Sequence, residues 1–329
     1  MTSYIAPGVL AGLASAILIS LIGVGTGLAV MLVLLAPIPV IIVTLAFNHR
    51  SGLVAGVIGA VAITAVHGSL FGGFGYFLTT ALPAWWLGYL ALLGRTSADG
   101  KTEWYPLGRL LAWIAGTGAL TYFGSSVLTG FDFEAYSRNA QEMAEAVLRI
   151  QTDTPEDVPL PDFGDLPGEQ VAARLAGALP IFAAQGFTVI LTLYIWLGAK
   201  IVSASGRLLR PWPEIARTVM PREALYTLFA VSLAAIFLDG FTGVLAMALT
   251  GAFLMAFALQ GLAAVHEMSQ GRSGRGFILV LTYLMVLLSQ GLVFLPLIMF
   301  GLTDTALGIR ERMRANASGR NTGGGPPLS

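Results

Sequence analysis

Three glutamines stand inside otherwise apolar stretches of this 329-residue chain: Gln185, Gln260 and Gln290. A carboxamide donates two hydrogen bonds and accepts two, so burying it in hydrocarbon is costly unless neighbouring helices or a bound molecule satisfy it. The three are therefore the candidate intramembrane binding residues, and hydrogen bonding between helices is the other use of the same chemistry. Thr44, Ser125 and Thr282 are weaker members of the set. Acid–base and metal chemistry find less support. After His266-Glu267, the position that a zinc-binding helix pair needs for its second histidine is Gln270. Asp239, His266 and Glu267 lie near the ends of apolar runs and read as solvated loop residues rather than an acid–base set. The three histidines are widely separated and there is no cysteine, which excludes thiolate nucleophiles, disulfides and cysteine metal sites. Neither a nucleophile elbow nor a Walker loop occurs. The chain is expected not to be an enzyme, to need no metal or cofactor, and to have no nucleic-acid partner.

The elements that must position these groups are membrane helices. About 56% of the residues are apolar and 11% charged, where soluble domains carry roughly a quarter charged. Residues 1–48, 51–94 and 276–303 contain no Asp, Glu, Lys or Arg. Each interval exceeds the roughly 20 residues that a helix needs to cross hydrocarbon, and the alternating polarity of a barrel is absent. The expected fold is all-α: a polytopic integral membrane helical bundle of about 8–9 transmembrane helices, with one acidic extracytoplasmic insert.

Residues 1–130 hold the first five helices. The first, over residues 5–22, reads as retained rather than cleaved. The second, over 28–47, is broken at Pro37-Ile38-Pro39, because proline removes a backbone donor and clashes with the preceding turn. Such breaks occur where the backbone is buried in protein or lines a cavity. The third, over 51–66, presents Gly52, Gly56 and Gly59 for close packing. The fourth ends in Trp85, Trp86 and Tyr89, suited to an interfacial aromatic belt. Residues 131–174 form the insert, with ten acidic and three basic residues. In its first half Phe133, Tyr136, Ala140, Met143, Val147 and Ile150 recur at helical spacing behind an N-cap at Asp132, and its second half is acidic and proline-rich. Residues 175–303 hold helices six to nine, over 175–199, 223–238, 241–265 and 277–302. Residues 304–329 form an amphipathic end and a polar tail.

Between helices six and seven lies the densest basic run, RLLRPWPEIARTVMPR at residues 207–222. Positive charge in short loops marks the cytoplasmic side. Arg50, the 95–109 loop, the 200–222 loop and Arg272/Arg275 are separated by even numbers of spans, so they agree. The amino terminus is then cytoplasmic and the insert extracytoplasmic. Nine full spans, however, would export Arg310, Arg312, Arg314 and Arg320. A turn back at Pro296 or a re-entrant span would remove that conflict. The core Arg210-Pro211-Trp212-Pro213 adds rigidity that a topology signal does not need. Arg207, Arg210, Trp212, Arg217 and Arg222 are accordingly the candidate partner-docking residues.

WLGAKIVSASGRLLRPWPE at residues 196–214 resembles the YybS-like family of bacterial inner-membrane proteins, a domain of unknown function. So do the Pro37-Ile38-Pro39 break, ALPAWWLGYLALLGR at 81–95, EWYPLGRLLAW at 103–113, Gly261-Leu262-Ala263 with His266, and GLTDTALGIRERM at 301–313. The likeness covers nearly the whole chain. That family is thought similar to the substrate-binding subunits (S components) of energy-coupling-factor vitamin transporters and to the shape-determining protein MreD. The resemblance implies a transporter-subunit-like module that binds a small molecule or lipid within the bundle and works with a partner ATPase, or alternatively a membrane scaffold in cell-envelope assembly. The extra spans and the acidic insert depart from the six-helix subunits, and no ligand residue transfers.

Overall fold

Charge-free runs become helices because each backbone amide can pair within its own segment, which hydrocarbon demands. The computed structural model describes residues 4–128, 130–288 and 294–322. Six of its helices are long and apolar enough to cross a bilayer. The chain begins with α1 (Ile5–Ser20), and the broken second run follows as α2 (Gly27–Leu34) and α3 (Pro37–Ala46). At the break the Ser15 hydroxyl donates to the Ala36 carbonyl at 2.6 Å and accepts from the Tyr76 hydroxyl at 2.7 Å. The carbonyls that lose their donors to Pro37 and Pro39, those of Val33 and Leu35, accept from the Ala36 and Ile38 amides, and the buried relay ties α1 to the main chain beside them.

The relay makes an ordered pair of predictions. Tyr76→Phe removes one hydrogen bond and is expected to cost about 1 kcal/mol. Ser15→Ala strands both the Ala36 carbonyl and the Tyr76 hydroxyl, and should cost about 2–3 kcal/mol. Thermal midpoints in detergent check the order, and equal midpoints for the two variants would rule the relay out.

Helix α4 (His49–His67) starts at Asn48, whose side chain accepts from the Ser51 amide. Its Gly52, Gly56 and Gly59 meet Thr44 and Trp85, Phe77 and Ala81, and Tyr76 respectively, so the glycine face is a packing face. Next, α5 (Leu70–Tyr76) continues through a π-helical turn at Phe77–Ala81 into α6 (Leu82–Ala91), with Pro83 in the first turn of α6. The loop beyond closes as a small hairpin, β1 (Gly94–Thr96) antiparallel to β2 (Thr102–Trp104), the one two-stranded sheet among the described residues.

Helix α7 (Leu107–Leu128) leads to the insert, where α8 (Phe133–Thr152) begins at Asp132, which accepts from the Glu134 amide at 2.9 Å. The face that α8 buries is Ala140, Ala144 and Leu148, rotated from the expected stripe and leaving Met143, Val147 and Ile150 exposed. The small alanines allow close approach to α9 (Gly168–Ala204), which the bulkier residues would prevent. At 37 residues α9 is ~55 Å long, far more than the ~30 Å hydrocarbon core, so it buttresses the insert as well as the bundle. Tyr136 of α8 is tied to Tyr122 of α7 by a 2.8 Å hydroxyl contact.

Helix α10 (Glu223–Phe237) returns towards the insert, where Phe241, at the start of α11 (Gly240–Met268), packs on Phe133 and Tyr136. Of the expected helix over 277–302 the structure describes α12 (Arg275–Leu288) and α13 (Phe294–Leu307), followed by α14 (Ile309–Thr322). Gln290 and Gly291 lie outside the described residues. Tyr283 of α12 contacts His266 and Asp304 of α13 contacts Gln260, so both elements pack on the C-terminal part of α11. Two apolar cores, one on α3, α6 and α9 and one on α7, α10 and α11, meet through the shared packing of α7 on α9.

Candidate functional site

The polar groups of the described chain converge where the 207–222 stretch meets α11, α13 and α14. Arg310 is the largest fully buried side chain, 2% exposed. It reaches that position because Gly308 adopts φ +62°, a left-handed turn that ends α13 and reverses the chain into α14. Nε donates to Asp304, Nη1 to Glu267 and the Ala216 carbonyl, and Nη2 to the Thr218 carbonyl, at 2.6–2.9 Å. Nη2 also forms an ion pair with Asp304 at 2.8 Å. Asp304, also 2% exposed, accepts the Arg310 backbone amide as well. Glu267 takes a second arginine, Arg314, through both carboxylate oxygens at 2.8 and 2.9 Å. The hydrogen bond that Arg314 donates to Glu267 holds its guanidinium above its ordinary range.

Gln260 lies directly beneath. Its Oε1 accepts from the Met220 amide at 2.8 Å and from the Thr305 hydroxyl at 3.1 Å, while Nε2 donates to the Gly301 carbonyl and to Asp304. A backbone amide on one side and a carbonyl on the other leave a single orientation for the carboxamide. Its four positions are filled by the protein, which favours the interhelical use over ligand binding. Gln185, half-buried in α9, has no hydrogen-bond partner among the described residues and shares none of this network. Thus no hydrogen-bond network joins Gln185 to Gln260, and Gln290 lies outside the described residues.

Loop residues expected to dock a partner are instead fastened in different ways. Arg207 lies over the Phe47 ring at 5.4 Å, and Arg210 donates to the Ala91 carbonyl at 3.1 Å, with burial lowering its pKa. Lys200 sits 4.3 Å above the Trp212 ring, and Arg217 pairs with Glu214 on the surface. Gly108 at the start of α7 has its Cα hydrogen face pressed on the Val219 carbonyl, a fit that no larger residue could share. Trp212 remains 38% exposed, and Arg217 and Arg222 are exposed. Beside Arg222 opens a cleft of about 290 Å³, lined by Met220, Pro221, Thr305, Arg310 and Glu311.

Two expectations need correction. Glu267 is no solvated loop residue: its side chain is 14% exposed and joins two arginines. Asp304 and Arg310 do not begin a surface amphipathic tail but plug the bundle, since an unpaired arginine at that depth would be costly and each here has its counter-ion. The signal available in the sequence was the tail's own charge, which fitted the arginines only to the end of the bundle that carries the 200–222 loop.

Segment 301–313 supplies Gly301, Asp304, Thr305 and Arg310 to this network, and 81–95 and 103–113 touch the 207–222 stretch through Ala91 and Gly108. No curated protein and no solved structure matches the chain. A family pattern does, over residues 13–305, and it describes predicted membrane proteins with a domain of unknown function, DUF2232. Several apolar helices of crossing length agree with that description. The chain belongs to this YybS-like family of multi-pass membrane proteins.

Proposed function

We propose that this chain is a non-enzymatic, multi-pass inner-membrane module of the transporter-subunit kind, holding a small molecule or lipid among its 8–9 spans and acting through a partner docked on the 207–222 platform. The observation that carries the reading is the construction of that platform. Phe47, Ala91, Gly108 and Arg310 fasten it from four elements, while Trp212, Arg217 and Arg222 stay exposed. Rigid, positive and aromatic surfaces suit protein docking, because little entropy is lost on binding. On the positive-inside argument the platform faces the cytoplasm, where an ATPase would bind, and the amino terminus lies on the same side with the insert opposite.

A scaffold role in envelope assembly is the second reading. It is favoured by the saturation of Gln260, which leaves that interior group no free position for a ligand.

Trp212→Ala tests the docking. The variant is expected to insert and keep its thermal midpoint, yet to lose a partner that the wild type retains in native mass spectrometry from membranes. An ATPase among the lost species supports transport, and a cell-wall assembly protein supports the scaffold. Undiminished co-purification in the variant would sink the docking reading.

A further inference from the structure

On the flank of the bundle, α1 and α3 leave an apolar groove of about 500 Å³ lined by Pro7, Leu10, Pro39, Ile42, Val43 and Phe47. Pro39 and Phe47 mark its two ends along α3, ~12 Å apart at helical rise. One end lies at the helix break, within the membrane-crossing run Gly27–Ala46, and the other at the close of that run, where the 207–222 stretch begins. The two ends differ in chemistry. At the Phe47 end Arg207 lies across the aromatic ring at 5.4 Å. That cation–π contact takes no oxygen acceptor and leaves the guanidinium N–H groups available. Among the described residues the Arg207 side chain donates to no carboxylate or carbonyl, although Arg210, Arg217, Arg310 and Arg314 all do. Arg222 also lacks a partner, but it faces a cleft that Asp304 and Glu311 rim, which disfavours an anion there. Arg50, three residues beyond Phe47, adds a second exposed cation near the groove's mouth.

An apolar channel running from mid-bundle to the interface, with an unpaired guanidinium at its outer end, matches one class of ligand. We infer that the groove between α1 and α3 holds an anionic phospholipid, its acyl chain along Pro39–Phe47 and its phosphate on Arg207. Planar guanidinium N–H pairs fit two phosphate oxygens at once, and the Phe47 contact keeps Arg207 at the groove's end. A zwitterionic lipid of equal chain length would fill the apolar part but lose net charge attraction at the mouth. The inference goes beyond the docking reading, and its readout involves no partner protein.

The test is native mass spectrometry of the delipidated full-length protein, titrated with phosphatidylglycerol or phosphatidylcholine of identical chains. The wild type is expected to retain one phosphatidylglycerol at concentrations where phosphatidylcholine is lost. Arg207→Gln should lower phosphatidylglycerol retention about fivefold, as expected for one interfacial arginine, and leave phosphatidylcholine unchanged. Ala11→Phe, which fills the groove's partly buried floor, should lower retention of both lipids; Ala6→Trp does the same from the exposed rim if the floor variant fails to fold. Arg272→Gln, on another loop of the chain, should behave as wild type. Equal retention of the two lipids by the wild type, or an intact preference in Arg207→Gln, would overturn the inference.

Discussion

Replacing Arg310 with methionine is expected to destabilise the folded protein by about 3–5 kcal/mol, the cost of breaking a buried ion pair from one side. The substitution strands Asp304, 2% exposed, and takes one of two arginines from Glu267. It also frees the Ala216 and Thr218 carbonyls, so the 207–222 stretch loses its innermost anchor. Two companions separate charge from packing. Arg314→Met, at a side chain 41% exposed, should cost no more than about 1 kcal/mol because solvent screens that pair. Arg310→Met combined with Asp304→Asn should be milder than Arg310→Met alone, since no buried carboxylate is then left without a counter-ion. Thermal midpoints in detergent report all three. A single Arg310→Met variant as stable as wild type would show that the network contributes nothing net.

Much of the bundle was legible because its signals are local. Charge-free length announces a span, proline at 37 and 39 announces a break, and Asp132 ahead of a periodic run announces a capped helix. The glycines of α4 were legible as a packing face for the same reason, since small residues four apart leave a flat surface whatever lies opposite. What stayed hidden depends on partners distant in sequence. Nothing near Arg310 announces that Thr218, 92 residues earlier, will cap its guanidinium. Charge beside a span end reads as solvent-facing by default, which is right for Arg217 and wrong for Glu267 and Asp304. The rotation of α8 was hidden likewise. Periodicity alone ranks Met143 and Val147 above Ala144, but the neighbouring α9 selects the small side chains that let it come close.

The basic stretch therefore has two kinds of arginine. Arg207, Arg217 and Arg222 keep their charge towards solvent or a ligand, as a sidedness signal requires. Arg210 spends its charge on a helix end, and the backbone carbonyls of Ala216 and Thr218 receive Arg310 from the far end of the chain. A loop that only marked the cytoplasmic face would need none of these attachments. Their effect is to hold Trp212 on a fixed frame, and that frame depends in turn on where α13 sits.

That position rests on a crossing of two glycines. The backbone of Leu297 lies against Gly261 and the backbone of Phe257 against Gly301, so α11 and α13 touch main chain to main chain. A methyl group at either site would overlap a carbonyl that no rotamer change can move, forcing the helices apart. Gly261→Ala and Gly301→Ala are each expected to cost about 3 kcal/mol, the upper part of the range for overpacking, although alanine favours helix by about 1 kcal/mol over glycine. The separation should propagate. Asp304 lies one turn beyond Gly301, so moving α13 withdraws it from Gln260, and the Met220 and Ala216 contacts of the loop loosen with it. Gly116→Ala in α7 and Gly177→Ala in α9 are the matched controls, because an added Cβ there meets nothing within 4 Å. They should stabilise by about 0.5–1 kcal/mol through propensity alone. Midpoints would then split into two groups of opposite sign, and hydrogen exchange at 215–220 should quicken in the crossing variants only. If alanine at 261 and 301 behaves like alanine at 116 and 177, the crossing is not what seats the C-terminal segment, and Arg310 must be held by its ion pairs alone.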